Sequence, residues 1–153
     1  MKRIIILAFI ALSINSYGQS EKQIDSLNYA HMKIAVPENC EAKSEYELLD
    51  CDGISIQWLY LNEEMLKTVP NQFMGQFTNQ KTTKKRTEIK VESFGSELTG
   101  YKFKMKNTDG ISYRIIVYGT VNNQPLLLNI GTKTDINETA DLNGFLKKLI
   151  EIK

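Results

Sequence analysis

Residues 101–130 read YKFKMKNTDGISYRIIVYGTVNNQPLLLNI, and this stretch decides the fold class. Tyr101, Phe103 and Met105 alternate with Lys102, Lys104 and Lys106. That period of two puts apolar side chains on one face of a strand and solvated ones on the other. Asn107-Thr108-Asp109-Gly110 follows, ending in the Asp-Gly pair that favours a hairpin turn. Ile111–Tyr118 then carries Ile115, Ile116 and Val117, apolar on both faces, which predicts a central strand. Asn122-Asn123-Gln124-Pro125 turns the chain again, and Leu126–Ile130 returns as a further strand. Short turns between these strands predict an antiparallel meander.

On the N-terminal side of this meander, Ile89 and Val91 alternate with Lys90 and Glu92 as another strand. Earlier, Ile54, Ile56, Trp58 and Tyr60 share one face while Ser55, Gln57 and Leu59 share the other. Asn62 is placed to cap a helix, with Glu63 and Glu64 in its first turn. Met65, Leu66, Val69, Phe73 and Phe77 recur at helical spacing, and Pro70 either kinks that helix or starts a second one. Met32, Ile34 and Val36 form a short first strand that ends at Pro37. Residues 37–52 read as a loop or irregular hairpin arm. At the C-terminal end, Asp135 as N-cap and Glu138 three residues on open a predicted closing helix. Leu142, Phe145, Leu146, Leu149 and Ile152 supply its apolar stripe. The expected fold class is therefore α+β: a largely antiparallel sheet of about six strands flanked by helices.

The N-terminus carries an address. Lys2 and Arg3 precede an apolar run from Ile4 to Ile14 broken only by Ser13, and Ser16 and Gly18 place small residues before Gln19. This is the layout of a secretory signal peptide of bacterial style. The run spans only about 16 Å as a helix, too short for a bilayer core. Residues 1–18 are expected to be removed, residues 19–30 to form a loose polar leader, and residues 31–153 to form one α+β domain. No lipobox cysteine lies near the cut, so the mature chain is expected in the periplasm or outside the cell, with no transmembrane segment. The 19 basic and 18 acidic residues give +1, and loss of Lys2 and Arg3 turns this to −1. Such a balance lacks the excess positive charge of a general nucleic-acid binder.

Export also bears on the cysteines. In an oxidising compartment Cys40 and Cys51 most simply form one structural disulfide. Two free thiols and a redox pair are the alternatives, the latter disfavoured because the spacing is not C-x-x-C. Two Cys and one His leave no set of four zinc ligands of those types. His31 would have to serve any His-dependent triad, yet no nucleophile adjoins it in sequence. Asp50-Cys51-Asp52-Gly53 echoes the start of a calcium loop but lacks the later ligands, so it reads as a turn. Nucleotide and hydrolase glycine motifs are missing. No cofactor is implied.

The densest charge run is Lys81, Lys84, Lys85 and Arg86. With Lys102, Lys104 and Lys106 it is the candidate interaction patch, able to steer an acidic partner. The competing reading is a solvated loop and an edge-strand guard against aggregation.

The element order resembles the Mog1/PsbP-like fold. The resemblance rests on the Ile-Ala-Val-Pro run at 34–37, a helix after the first two strands, the late hairpin of Gly110–Tyr118 and Pro125–Ile130, and a closing helix with Asp141, Phe145 and Leu149-Ile150. It implies α/β/α layers and a protein that binds other proteins or serves as an accessory subunit. No functional residue carries over. The function expected is an exported, non-catalytic binding or accessory protein of the bacterial envelope, whose partner is a protein or envelope component. Alternatives are an immunity or inhibitor protein against a periplasmic toxin and a small carboxylate-dependent hydrolase.

Overall fold

Two-residue turns and long alternating strands dominate the chain, and they decide its architecture. The computed structural model describes residues 23–153, so the expected signal peptide lies outside the described residues. In chain order the elements are β1 (Ser26–Tyr29), β2 (Met32–Ala35), β3 (Cys40–Ser44), β4 (Glu47–Cys51), β5 (Ile54–Tyr60) and α1 (Glu63–Thr78). Then come β6 (Thr83–Ser93), β7 (Ser96–Asn107), β8 (Gly110–Val121), β9 (Gln124–Thr132), α2 (Leu146–Leu149) and β10 (Glu151–Ile152). Eight strands form one sheet in the order β10-β6-β7-β8-β9-β5-β4-β3, with every pair antiparallel. β1 and β2 form a separate hairpin.

The expected sheet of about six strands in α/β/α layers is thus overturned. The chain is mostly β, with one helix of 16 residues on one face of the sheet. Residues 37–52 form the irregular hairpin that was one of the two expectations there, β3–β4, with register shifts between Glu41 and Ala42 and between Ala42 and Ser44. Two other features differ from expectation. The polar stretch from Thr83 is part of strand β6, because its partner β7 satisfies its backbone and its lysines can face water. The apolar stripe near the C-terminus is buried, but it is not a continuous helix.

That last difference has a local cause. Asp141 accepts the N–H groups of Asn137 (2.8 Å) and Glu138 (3.1 Å), which closes a single 3₁₀ turn at Thr139–Asp141. Those two bonds hold the exposed Asp141 carboxyl below its ordinary range. The chain then turns extended at Leu142, and the Asn143 side chain accepts the Leu146 N–H at 2.8 Å to restart one helical turn. Beyond it, Ile150–Lys153 runs out to pair with β6, where Lys153 N donates to Lys90 O. Asp135, expected as a helix cap, instead binds Lys102.

The segment expected as a loose leader is likewise structured from Ser26 onward. Leu27 and Tyr29 of β1 are fully buried, and the Tyr29 hydroxyl shares a hydrogen bond with buried Ser93 at 2.9 Å. Burial pushes the Tyr29 phenol up to about 12. The polarity of residues 19–28 hid this alternation, because only every second side chain of β1 faces the core.

One sheet face carries Ile54, Ile56 and Trp58 of β5, Leu98 of β7, Ile115 and Val117 of β8, and Leu126, Leu128 and Ile130 of β9. The β1–β2 hairpin and the C-terminal segment, through Leu142, Phe145, Leu146 and Leu149, cover it. The opposite face receives α1. Asn62 caps the helix as expected, its side chain accepting Met65 N–H at 2.7 Å. The helix runs unbroken through Pro70, which supplies no N–H to the preceding turn.

Tight turns set the register. Phe94-Gly95 and Asn122-Asn123 hold positive φ at both central positions, the geometry of two-residue hairpins. Asp50 Oδ1 accepts the Gly53 N–H at 2.9 Å, so Asp50–Gly53 is an ordinary turn between β4 and β5. Cys40 and Cys51 lie directly opposite in the β3–β4 ladder, with Cα atoms 4.2 Å apart, and are joined as a disulfide. Reducing it is expected to lower stability by about 3 kcal/mol on the chain-entropy argument. Peptide mass mapping without reductant should find the linkage, and a denaturation midpoint unchanged by reduction would contradict the stabilising role.

Among the described residues no helix is long and apolar enough to cross a membrane.

Candidate functional site

Pleat parity splits the basic cluster. Lys85 pairs with Lys104 and Thr87 with Lys102, so these four share the face opposite α1. Arg86 is the next residue along β6 and therefore points to the other face, where its guanidinium stacks 4.2 Å from the Tyr101 ring centroid. Lys102 is consumed in structure. Its Nζ donates to Asp135 Oδ1 (2.5 Å), Asn137 Oδ1 (2.6 Å) and Ile136 O (2.9 Å), and its side chain is only 12% exposed. This tie fastens the segment after β9 to the sheet. Lys84 Nζ donates to Lys81 O at the start of β6, and Lys106 is exposed at the far end of β7. The seven residues therefore do not form one face. β10 pairs only with Val91 and Glu92, so the outer edge of β6 from Thr83 to Ile89 is open and carries Lys84, Lys85 and Arg86. Charge at an open edge discourages strand addition by another chain.

A different constellation arises on the α1 side. Leu66, Val69, Phe73, Met74 and Phe77 of α1 pack over Phe103, Met105, Ile116 and Leu127. The helix packs against β6 to β9, and on β5 only Leu59 joins its cluster, which leaves Ser55 and Gln57 outside it. Cross-strand registry there places Ser55, Gly131, Arg114 and Phe103 in one row across β5, β9, β8 and β7. The adjacent row is Glu47, Gln57, Asn129 and Ile116. Glu47, Gln57, Asn129, Ser55, Gly131 and Arg114 of these rows line three depressions, the middle one sharing Glu47 and Gln57 with one neighbour and Ser55 and Arg114 with the other. Together they make a trough along the sheet. One end, about 310 Å³, is mainly apolar and includes Tyr46 and Leu59. The middle, about 50 Å³, holds Gln57, Asn129 and Arg114. The far end, about 240 Å³, opens past Ser55, Gly131 and Lys133.

Arg114 dominates the electrostatics. It is half-buried, its Nη1 donates to Asn129 Oδ1 at 3.3 Å, and its Nε is buried without a partner. Desolvation pulls the guanidinium below its ordinary range, though an arginine stays charged in a protein. Among the described residues no carboxylate lies within ion-pair distance of it. The ring of Phe77 in the last turn of α1 lies 5.7 Å from its Cζ. Gly131 makes room for this side chain: a Cβ there would stand 2.6 Å from Ser55 Oγ and 3.2 Å from Arg114 Cζ.

A larger cleft of about 920 Å³ lies at the first described residues and is walled by both signs of charge, including Asp25, Glu38, Glu41 and Lys43. It has no unpaired cation, and the trough does.

Sequence alternation puts Ser55 and Gln57 on their correct face but gives them no role, and it does not single out Arg114, Asn129 or Gly131. Their signal was available: each interrupts an otherwise apolar central strand, and a polar residue in a strand buried on both faces calls for a partner. A scan against protein-family models finds no match to this chain, and a search of the curated proteins finds none either.

Proposed function

We propose that this chain is an exported, non-catalytic binding or accessory protein of the bacterial envelope, and that the trough beside α1 holds its ligand. The observation that carries this reading is the convergence of Ser55, Gln57, Asn129 and an unpaired, desolvated Arg114 in a depression open along its length. An open trough suits an extended segment or a surface loop of a partner, which can satisfy several of these groups at once. The disulfide supports export, because such bonds persist chiefly in oxidising compartments.

The test places a photoreactive residue at Gln57, in the trough, or at Lys104, in the basic cluster, and irradiates cells of the native host. A discrete adduct from Gln57, recovered from the envelope and suppressed by excess unlabelled protein, is expected. Adducts from Lys104 alone, or recovery of the chain from the cytoplasm, would overturn the reading.

A further inference from the structure

We infer that Arg114 anchors a carboxylate, and that the trough takes a peptide segment presenting that carboxylate next to an apolar side chain. This rests on the trough being the ligand surface. A guanidinium moved out of water needs acceptors on its N–H groups, and a buried donor left without one is destabilising. Arg114 has a single long bond from Nη1 and none from Nε. The acid nearest in the trough, Glu47, is held by Lys43 at 3.6 Å.

The Phe77 ring 5.7 Å from the Arg114 Cζ and the single bond to Asn129 offset only part of that cost. The guanidinium lies against Gly131, where a Cβ would stand 3.2 Å from its Cζ. The fixed planar array of N–H groups on a guanidinium matches the two oxygens of a carboxylate. Around it are neutral hydrogen-bonding groups, the Ser55 hydroxyl and the amides of Gln57 and Asn129. In the middle of the trough Arg114 is the single cation, Lys133 lining only the far end, and one cation with neutral donors suits one negative charge. A phosphate would call for more positive charge than the middle of the trough supplies. The apolar end at Leu59 and Tyr46 adjoins through Gln57, so an apolar side chain beside the carboxylate has a place to go. The carboxylate could belong to a chain terminus or to an acidic side chain, and the two share this chemistry.

The experiment follows backbone amide signals of the whole mature chain by NMR during titration. The probes are acetyl-Ala-Ala-Leu with a free C-terminus, the same peptide as its amide, the amide of acetyl-Ala-Asp-Leu, and inorganic phosphate. Shifts at Ser55, Gln57, Asn129 and Gly131 are expected with one or both acidic peptides, and at least about tenfold weaker binding for the neutral amide. A response to the free C-terminus alone identifies a chain terminus as the source, and a response to the Asp peptide identifies a side chain. Arg114→Gln should abolish the shifts. Arg114→Lys should weaken them by about tenfold, because a lysine keeps the charge but not the planar array. A merely structural Arg114, holding Phe77, would alter stability in these variants and leave the preference for acid over amide unchanged. Should Arg114→Gln fail to fold, Gly131→Ala displaces the guanidinium instead and should weaken the acidic peptides selectively. Equal binding of acid and amide, tighter binding of phosphate, or no shift at these residues with any probe would overturn the inference. A Gln57 adduct that persists under those outcomes would leave the trough as the ligand surface and remove only the carboxylate.

Discussion

Trp58→Ala is expected to lower stability by about 3–5 kcal/mol, the range for removing a large aromatic side chain from a core. Trp58 is 1% exposed on β5 and fills the space between the sheet and the β1–β2 hairpin. Its ring meets Tyr29 edge-on, with centroids 5.2 Å apart, and its Nε1 donates to Asn28 O at 2.8 Å. The Asn28 carbonyl keeps a second donor in the Tyr60 hydroxyl at 2.9 Å, so the loss is chiefly one of packing. Domains of this size are stable by roughly 5–15 kcal/mol, so such a loss removes a large part of the total. Urea denaturation followed by far-UV circular dichroism measures it; fluorescence does not serve, since Trp58 is the only tryptophan. Trp58→Phe should cost less than half as much, because the ring contact with Tyr29 survives. A drop below about 1 kcal/mol for the alanine variant would mean that the hairpin is not held by this residue.

Gly100→Ala should be as damaging by the opposite mechanism, at about 3 kcal/mol or more from overpacking. A Cβ on Gly100 would stand 1.9 Å from Ile116 O, 2.8 Å from Val117 Cα and 2.9 Å from Ile116 C. All three are backbone atoms of β8, which is hydrogen-bonded to β7 on one side and β9 on the other. They cannot withdraw without parting two ladders. Gly119→Ala provides the control. Its nearest atom is the end of the buried Leu98 side chain at 2.8 Å, and its nearest backbone atom, Glu97 O, lies at 3.0 Å rather than 1.9 Å, so the clash is milder. Chemical denaturation of both variants should therefore rank Gly100→Ala well below Gly119→Ala, and equal midpoints would contradict the close approach of β7 to β8. Gly100 lies inside β7, and the turn between β6 and β7 is Phe94-Gly95.

The parts of the fold that were legible share one property: their signal is local. Alternation over Tyr101–Met105 and Ile54–Tyr60, the turn chemistry at Asp109-Gly110 and Asn122-Asn123, and the Asn62 cap each depend on residues a few positions apart. The apolar stripe near the C-terminus was also correctly placed in the core, although its helix was not. A stripe records which residues must be buried. It does not record that Asp141 and Asn143 divert the backbone hydrogen bonds that a helix needs. The basic cluster shows the same limit. Lys85 and Arg86 are neighbours in sequence but point to opposite faces, and Lys102 is drawn to Asp135 across a gap of 33 residues.

Local sequence thus specifies the strands of the meander, the start of α1 and the pair of cysteines that could be joined. These follow from side-chain periodicity, capping and counting, which act within one segment. The assembled fold is needed to bring eight strands into one sheet, to lay α1 over part of one face, and to gather Ser55, Asn129, Gly131 and Arg114 in the strip left open. Those residues come from three strands, and it is the pairing of β5 with β9, remote in the chain, that brings them together. Such pairing is settled by burial of the whole sheet, a sum over distant contacts that no single stretch of sequence contains.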